Sequence, residues 1–117
     1  MNPLRISTIG VSIASLLALA ACGGQNQSRQ TVNFDVKVAG NQMTPSNKLT
    51  AHGGDTINLT VSADKAEEIH LHGYDLHFYP KPGQPQSKTF AADKTGAFEI
   101  EIEDSSTHLG ELDVLPQ

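Results

Sequence analysis

The sequence predicts an all-β domain, a sandwich of short strands, on three observations. Residues 31–38 and 98–103 alternate between apolar and polar side chains; Gly, Pro, Asn and Asp recur between such runs at short intervals; and no convincing long helix can be read after residue 30. Period-two alternation is the pattern of a strand with one buried face. Turn signals at regular short spacing are the pattern of a sandwich.

The elements follow in order. Thr31 to Val38 puts Val32, Phe34, Val36 and Val38 on one side and Asn33, Asp35 and Lys37 on the other. Gly40-Asn41 turns the chain, and Leu49 with Ala51 makes a short second strand. His52-Gly53-Gly54-Asp55 is a turn with two residues free to take positive φ. Thr56 to Val61 alternates again, with Ile57, Leu59 and Val61 on one face, and Ala63 to Glu68 reads as a loop or one helical turn. Ile69 to Tyr79 is β-rich but interrupted at Gly73, where a bulge is expected. Residues 80–87, with Pro80, Pro82 and Pro85, read as an exposed loop. Lys88 to Ala92 is a short strand and residues 93–96 a turn. Phe98, Ile100 and Ile102 then alternate with Glu99, Glu101 and Glu103, and Leu109 to Leu115 closes the domain. The three glutamates read as a solvated face.

Composition excludes several functions. The chain carries 8 Lys+Arg against 13 Asp+Glu, a formal charge of −5, with no basic cluster. An acidic surface of this kind argues against nucleic acid and against polybasic docking to anionic lipid. Cys22 is the only cysteine, so neither a disulfide framework nor a thiolate site can form within the domain. No serine in a nucleophile elbow and no Gly-rich phosphate loop is found, and the chain is not expected to be an enzyme.

The N-terminus reads as a secretory leader. Arg5 precedes an apolar, small-residue-rich stretch that is too short for a good spanning helix. Leu19-Ala20-Ala21-Cys22 resembles the bacterial lipobox. The resemblance implies removal of residues 1–21, thioether lipidation of Cys22 and acylation of the new amino terminus, with several acyl chains making a firm membrane anchor. An ordinary signal peptide followed by a stray cysteine is the other reading, and it leaves a lone thiol in an oxidising compartment. Residues 22–30 then form the lipidated cysteine and a flexible tether without apolar side chains beyond the anchor, and residues 31–117 the domain. Gly23 after the cysteine resembles the outer-membrane sorting pattern. The expected location is the cell envelope: the outer membrane facing the periplasm in a cell with two membranes, otherwise the outer face of the plasma membrane.

The domain itself carries a family resemblance. Met43-x-Pro45-x-x-x-Leu49-x-Ala51-x-x-Gly54-Asp55-Thr56-Ile57 resembles the opening of cupredoxin domains. Phe90-x-Ala92-x-x-x-Gly96-x-Phe98-x-Ile100 is similar to their stretch rising into the copper loop, and His108-x-Gly110-x-Leu112-x-Val114 to their closing histidine, glycine and last strand. His70-Leu71-His72-Gly73-Tyr74-Asp75 resembles a small cupredoxin-like subgroup and echoes the His-x-His-Gly stretch of multicopper oxidases. The resemblance implies a cupredoxin-like Greek-key β-sandwich of about seven or eight strands. It also shows where the blue-copper pattern fails. Such a site needs a Cys thiolate, two imidazoles and usually a weak axial Met. Ile102 falls where the cysteine is expected, Glu111 where the axial Met is expected, and Met43 sits at an aromatic position suited to core packing.

His70 and His72 remain as the best metal candidates, since residues i and i+2 of a strand project to the same face. Imidazole suits copper, zinc and nickel. The resemblance adds His108 as third ligand. His77 is a further candidate, and His52 lies in a Gly-rich turn. Tyr74 and Asp75 are candidates to hold a ligand from behind, or to make a structural hydrogen bond pinning the irregular strand. Two functions stay open. One is a tethered domain that captures or buffers a transition metal, copper foremost, with a metal-donor or metal-acceptor protein as partner. The other is a metal-free interaction module of the envelope, with His70 and His72 as a polar strand face.

Overall fold

The computed structural model describes residues 27–117, and the leader, Cys22 and the first part of the tether lie outside the described residues. The described chain forms nine strands: β1 Thr31–Ala39, β2 Gln42–Thr44, β3 Lys48–His52, β4 Thr56–Ala63, β5 Ile69–Leu71, β6 Leu76–Phe78, β7 Gln86–Ala91, β8 Gly96–Ile102 and β9 Thr107–Leu115. They make a four-stranded sheet in the order β2-β1-β4-β7 and a five-stranded sheet in the order β3-β9-β8-β5-β6. Two pairs are parallel, β1 with β4 and β3 with β9, so the chain crosses between sheets before it can pair.

Alternation supplies the core. Val36, Val38, Ile57, Leu59 and Val61 from the first sheet are buried against Ile69, Leu71, Phe78, Ile100, Ile102, Leu112 and Val114 from the second. Each such burial contributes roughly 1.5–3 kcal/mol. The turn before β4 is locked by Asp55, the one buried charged residue among those described. Its Oδ1 accepts from Gln30 N at 3.1 Å and its Oδ2 from His52 N at 2.9 Å. This ties the end of the tether to the Gly-Asp turn.

Several sequence expectations are revised. Residues 42–44 pair with β1 through Met43 and Val38, adding a strand and burying Met43 in the core. Of the two readings of residues 63–68 the loop is the one that forms, over residues 64–68, and β4 runs on to Ala63. Pro80 is fully buried, and β7 already begins at Gln86, so residues 80–87 are only partly an exposed loop.

Residues 69–79 form a hairpin instead of one bulged strand. Gly73 at φ 78° and Asp75 at φ 51° turn the chain between β5 and β6. A Cβ at Gly73 would strike the Phe98 ring, so the turn requires glycine. The bulge lies elsewhere. Ile100 pairs with Gly110 but Glu101 pairs with His108, leaving Leu109 as the extra residue of β9. Unbroken alternation from Val114 and Leu112 would carry position 108 inward. The bulge reverses the phase, buries Leu109 and turns His108 to the outer face.

Candidate metal centre

The outer face of the five-stranded sheet gathers histidines and carboxylates in cross-strand rows. His77 on β6 lies opposite His70 on β5, His70 opposite Glu101 on β8, and Glu101 opposite His108 on β9. Ile69 and Leu71 point into the core, so His70 must point out. His72 sits one residue beyond β5, but its N–H donates to Glu99 O at 2.9 Å, which prolongs the ladder and keeps it on the face of His70.

His70, His72 and His108 each engage the carboxylate diagonal to them, not the one directly opposite. His70 Nδ1 is 2.9 Å from Glu103 Oε2, His72 Nε2 is 2.6 Å from Glu101 Oε1, and His108 Nδ1 is 2.7 Å from Glu99 Oε2. The glutamate row is therefore not simply a solvated face. Glu101 and His70 are the most enclosed members, with side chains 13% and 14% exposed.

Ligand atoms of His70, His72, Glu101 and Glu103 all lie within 4.8 Å of one another. A second group, His70, Asp75 and His77, meets the same limit. His108 belongs to neither: it connects to the cluster through Glu99, whose other oxygen is 3.9 Å from His72 Nε2. Tyr74 is also apart. Its hydroxyl donates to Lys94 O at 2.8 Å, and its ring packs on Phe90 and Phe98, pinning the hairpin. Asp75 stands at the cluster, its Oδ1 3.1 Å from His77 Nε2 and 3.4 Å from His70 Nε2. His52 lies at the end of β3 beside Leu115, at the opposite end of β9 from His108. Ile102 is buried, and Glu111 pairs with Lys48 at 3.3 Å, so neither position offers a blue-copper ligand.

Electrostatics bind the second group together. Hydrogen bonds to Glu68 first and Asp75 second hold His77 above its ordinary value of 6.5. Asp75 is held below the usual carboxylate range by the neighbouring imidazoles, His77 first and then His70. His70 Nε2 is shielded from solvent and has no hydrogen-bond partner.

The donors can be tested for fit to a metal on this chemistry. Two imidazoles and two carboxylates form an N₂O₂ set suited to Cu(II), Zn(II) or Ni(II). No thiolate or thioether stands among the donors. The orphaned His70 Nε2, on the side of Asp75, is a further group that an ion would satisfy.

No family model and no curated protein matches the chain. Solved structures do resemble it. A copper binding protein in the apo form, determined by NMR, matches at a TM-score of 0.61 with 15% identity, over 75% of this chain and 91% of that one. The multi-copper oxidase from Pseudomonas Thermotolerans matches at 0.59 with 17% identity, over 76% of this chain and 30% of that one. Laccase from Botrytis aclada matches at 0.58 with 16% identity, over 74% of this chain and 23% of that one. The chain thus spans less than a third of the oxidase and the laccase. At these identities the likeness concerns architecture alone: the chain folds as a cupredoxin-like β-sandwich.

Proposed function

We propose that this protein is a membrane-tethered, non-catalytic domain that captures or buffers a divalent transition metal, copper foremost, on the outer face of its five-stranded sheet. The carrying observation is the convergence of His70, His72, Glu101 and Glu103 within 4.8 Å. His70 and His72 bring nitrogen donors, and Glu101 and Glu103 bring oxygen donors, which favours Cu(II) over Cu(I). The copper binding protein and copper oxidases among the structural neighbours support the choice of metal. Such a domain receives its ion from, or passes it to, an envelope protein. His108, held by Glu99 beside His72, flanks the site as an accessory donor.

The tether is part of the same proposal. The leader, the lipobox-like Leu19-Ala20-Ala21-Cys22 and the apolar-free spacer after it support lipid anchoring in the envelope. Intact-mass analysis showing an unmodified Cys22 on correctly cleaved protein overturns that part.

One observation favours the metal-free interaction module instead. His70, His72 and His108 each have a carboxylate within 2.6–2.9 Å, a lattice that can stand without an ion. Titrating the purified protein with Cu(II), Zn(II) and Cu(I) separates the two. Binding of Cu(II) or Zn(II) in preference to Cu(I) supports the metal reading. Absence of binding even at micromolar concentrations transfers the assignment to the interaction module.

A further inference from the structure

We propose that the sheet face holds two metal positions, joined through the two nitrogens of His70. The inference rests on the metal-binding reading above and extends it with a second set of donors.

The two nitrogens of His70 face different partners. Nδ1 lies 2.9 Å from Glu103, on the side of the cluster built with β8. Nε2 lies 3.4 Å from Asp75 Oδ1, on the side built by the β5–β6 turn. There His77 Nε2 is 3.1 Å from the same Asp75 oxygen, and ligand atoms of His70, Asp75 and His77 lie within 4.8 Å of one another. Three donors from two paired strands and their turn thus converge beside the first group, with one imidazole common to both.

Two independent features point to a ligand. His70 Nε2 is shut away from solvent with no well-formed hydrogen bond, Asp75 Oδ1 standing 3.4 Å off, whereas its Nδ1 lies against Glu103. Buried polar atoms are normally paired, and an unpaired one calls for an occupant. His77 is also oriented as ligating histidines are. Its Nδ1 is held by Glu68 Oε1 at 2.8 Å, and that oxygen also accepts from the Tyr79 hydroxyl at 3.1 Å. A carboxylate behind one ring nitrogen fixes the ring and aims the other at the metal.

The two positions differ in access. Glu101 in the first is 13% exposed, while Asp75 in the second is 89% exposed and carried on a turn. The outer position, with donors His70 Nε2, His77 Nε2 and Asp75, is open to exchange. The inner position, with His72, Glu103 and the enclosed Glu101, has no member as exposed as Asp75. When both are filled, each His70 nitrogen donates one lone pair to one ion, and the ring gives its single N–H proton to solvent.

The test uses the full chain carrying Cys22→Ser, which removes the lone thiol as a competing ligand, with Cu(II) as probe. Native mass spectrometry and chelator competition should find two equivalents. In electron paramagnetic resonance the signal should grow with the first equivalent and shrink with the second, because two Cu(II) spins across one imidazolate couple. Both His77→Ala and Asp75→Asn should reduce the stoichiometry to one and restore an uncoupled signal. Asp75 is so exposed that its variant keeps the test intact if His77→Ala fails to fold. A single equivalent in the parent, or two equivalents surviving both variants, overturns the second position while leaving the metal-binding reading in place. No binding by the parent overturns both.

Discussion

The ring of His70 lies flat against that of His77, centroids 4.2 Å apart and planes 11° from parallel. The His72 ring is tilted by 38° to it at 4.3 Å. Three imidazoles therefore share one patch with carboxylates at hydrogen-bonding distance.

The first consequence is a pH dependence in the outer group. His77 is raised above 6.5 by Glu68 and Asp75, so folding favours its charged form. Its contribution to stability is then fully present below the unfolded value and lost as pH rises through the folded one. Asp75 is lowered, so its contribution is present above its ordinary value and lost as pH falls through the folded one. Metal-free NMR titration should place the His77 midpoint above 6.5, and Glu68→Gln should move it down. A midpoint unaffected by Glu68→Gln contradicts the assigned cause.

Asp55 should be the most costly polar residue to remove. Replacing it with Ala leaves the partly buried N–H groups of Gln30 and His52 without their acceptor. The expected loss is about 2–3 kcal/mol in urea denaturation, and less for Asp55→Asn, which keeps one oxygen.

Gly73 and Gly83 make a controlled pair. Both have positive φ, but a Cβ at Gly83 meets nothing within 4 Å while one at Gly73 strikes Phe98. Gly83→Ala should cost about 1 kcal/mol, the left-handed strain alone. Gly73→Ala should cost about 3 kcal/mol once steric displacement is added. Equal losses would show that the Phe98 contact is immaterial.

The alternating runs made the sandwich legible in the sequence, because period two needs no knowledge of which strands pair. His70 and His72 were legible for the same reason. Glu101 and Glu103 were not, because their part in the cluster exists only through the β5–β8 register, which joins residues 29–33 positions apart. His77 joins the cluster only because the chain reverses at Gly73. The Leu109 bulge left no pattern that distinguished it from continuous alternation, although it decides which way His108 faces.

The copper-loaded protein should remain free of the intense visible band of a thiolate–Cu(II) centre. Buried Ile102 stands where that sulfur would be. Such a band in the Cys22→Ser chain would contradict the donor set.

The central claim is tested most directly by chelator-competition titration of Cu(II) against the parent, His70→Ala, His72→Ala and His52→Ala. Imidazole must be neutral to ligate, so parent affinity should also weaken as pH falls. Each of the two strand variants should lose more than the roughly 10–100-fold that removal of an outer supporting group costs, while His52→Ala binds as the parent does. Unchanged affinity in both His70→Ala and His72→Ala would place the metal elsewhere and contradict the account.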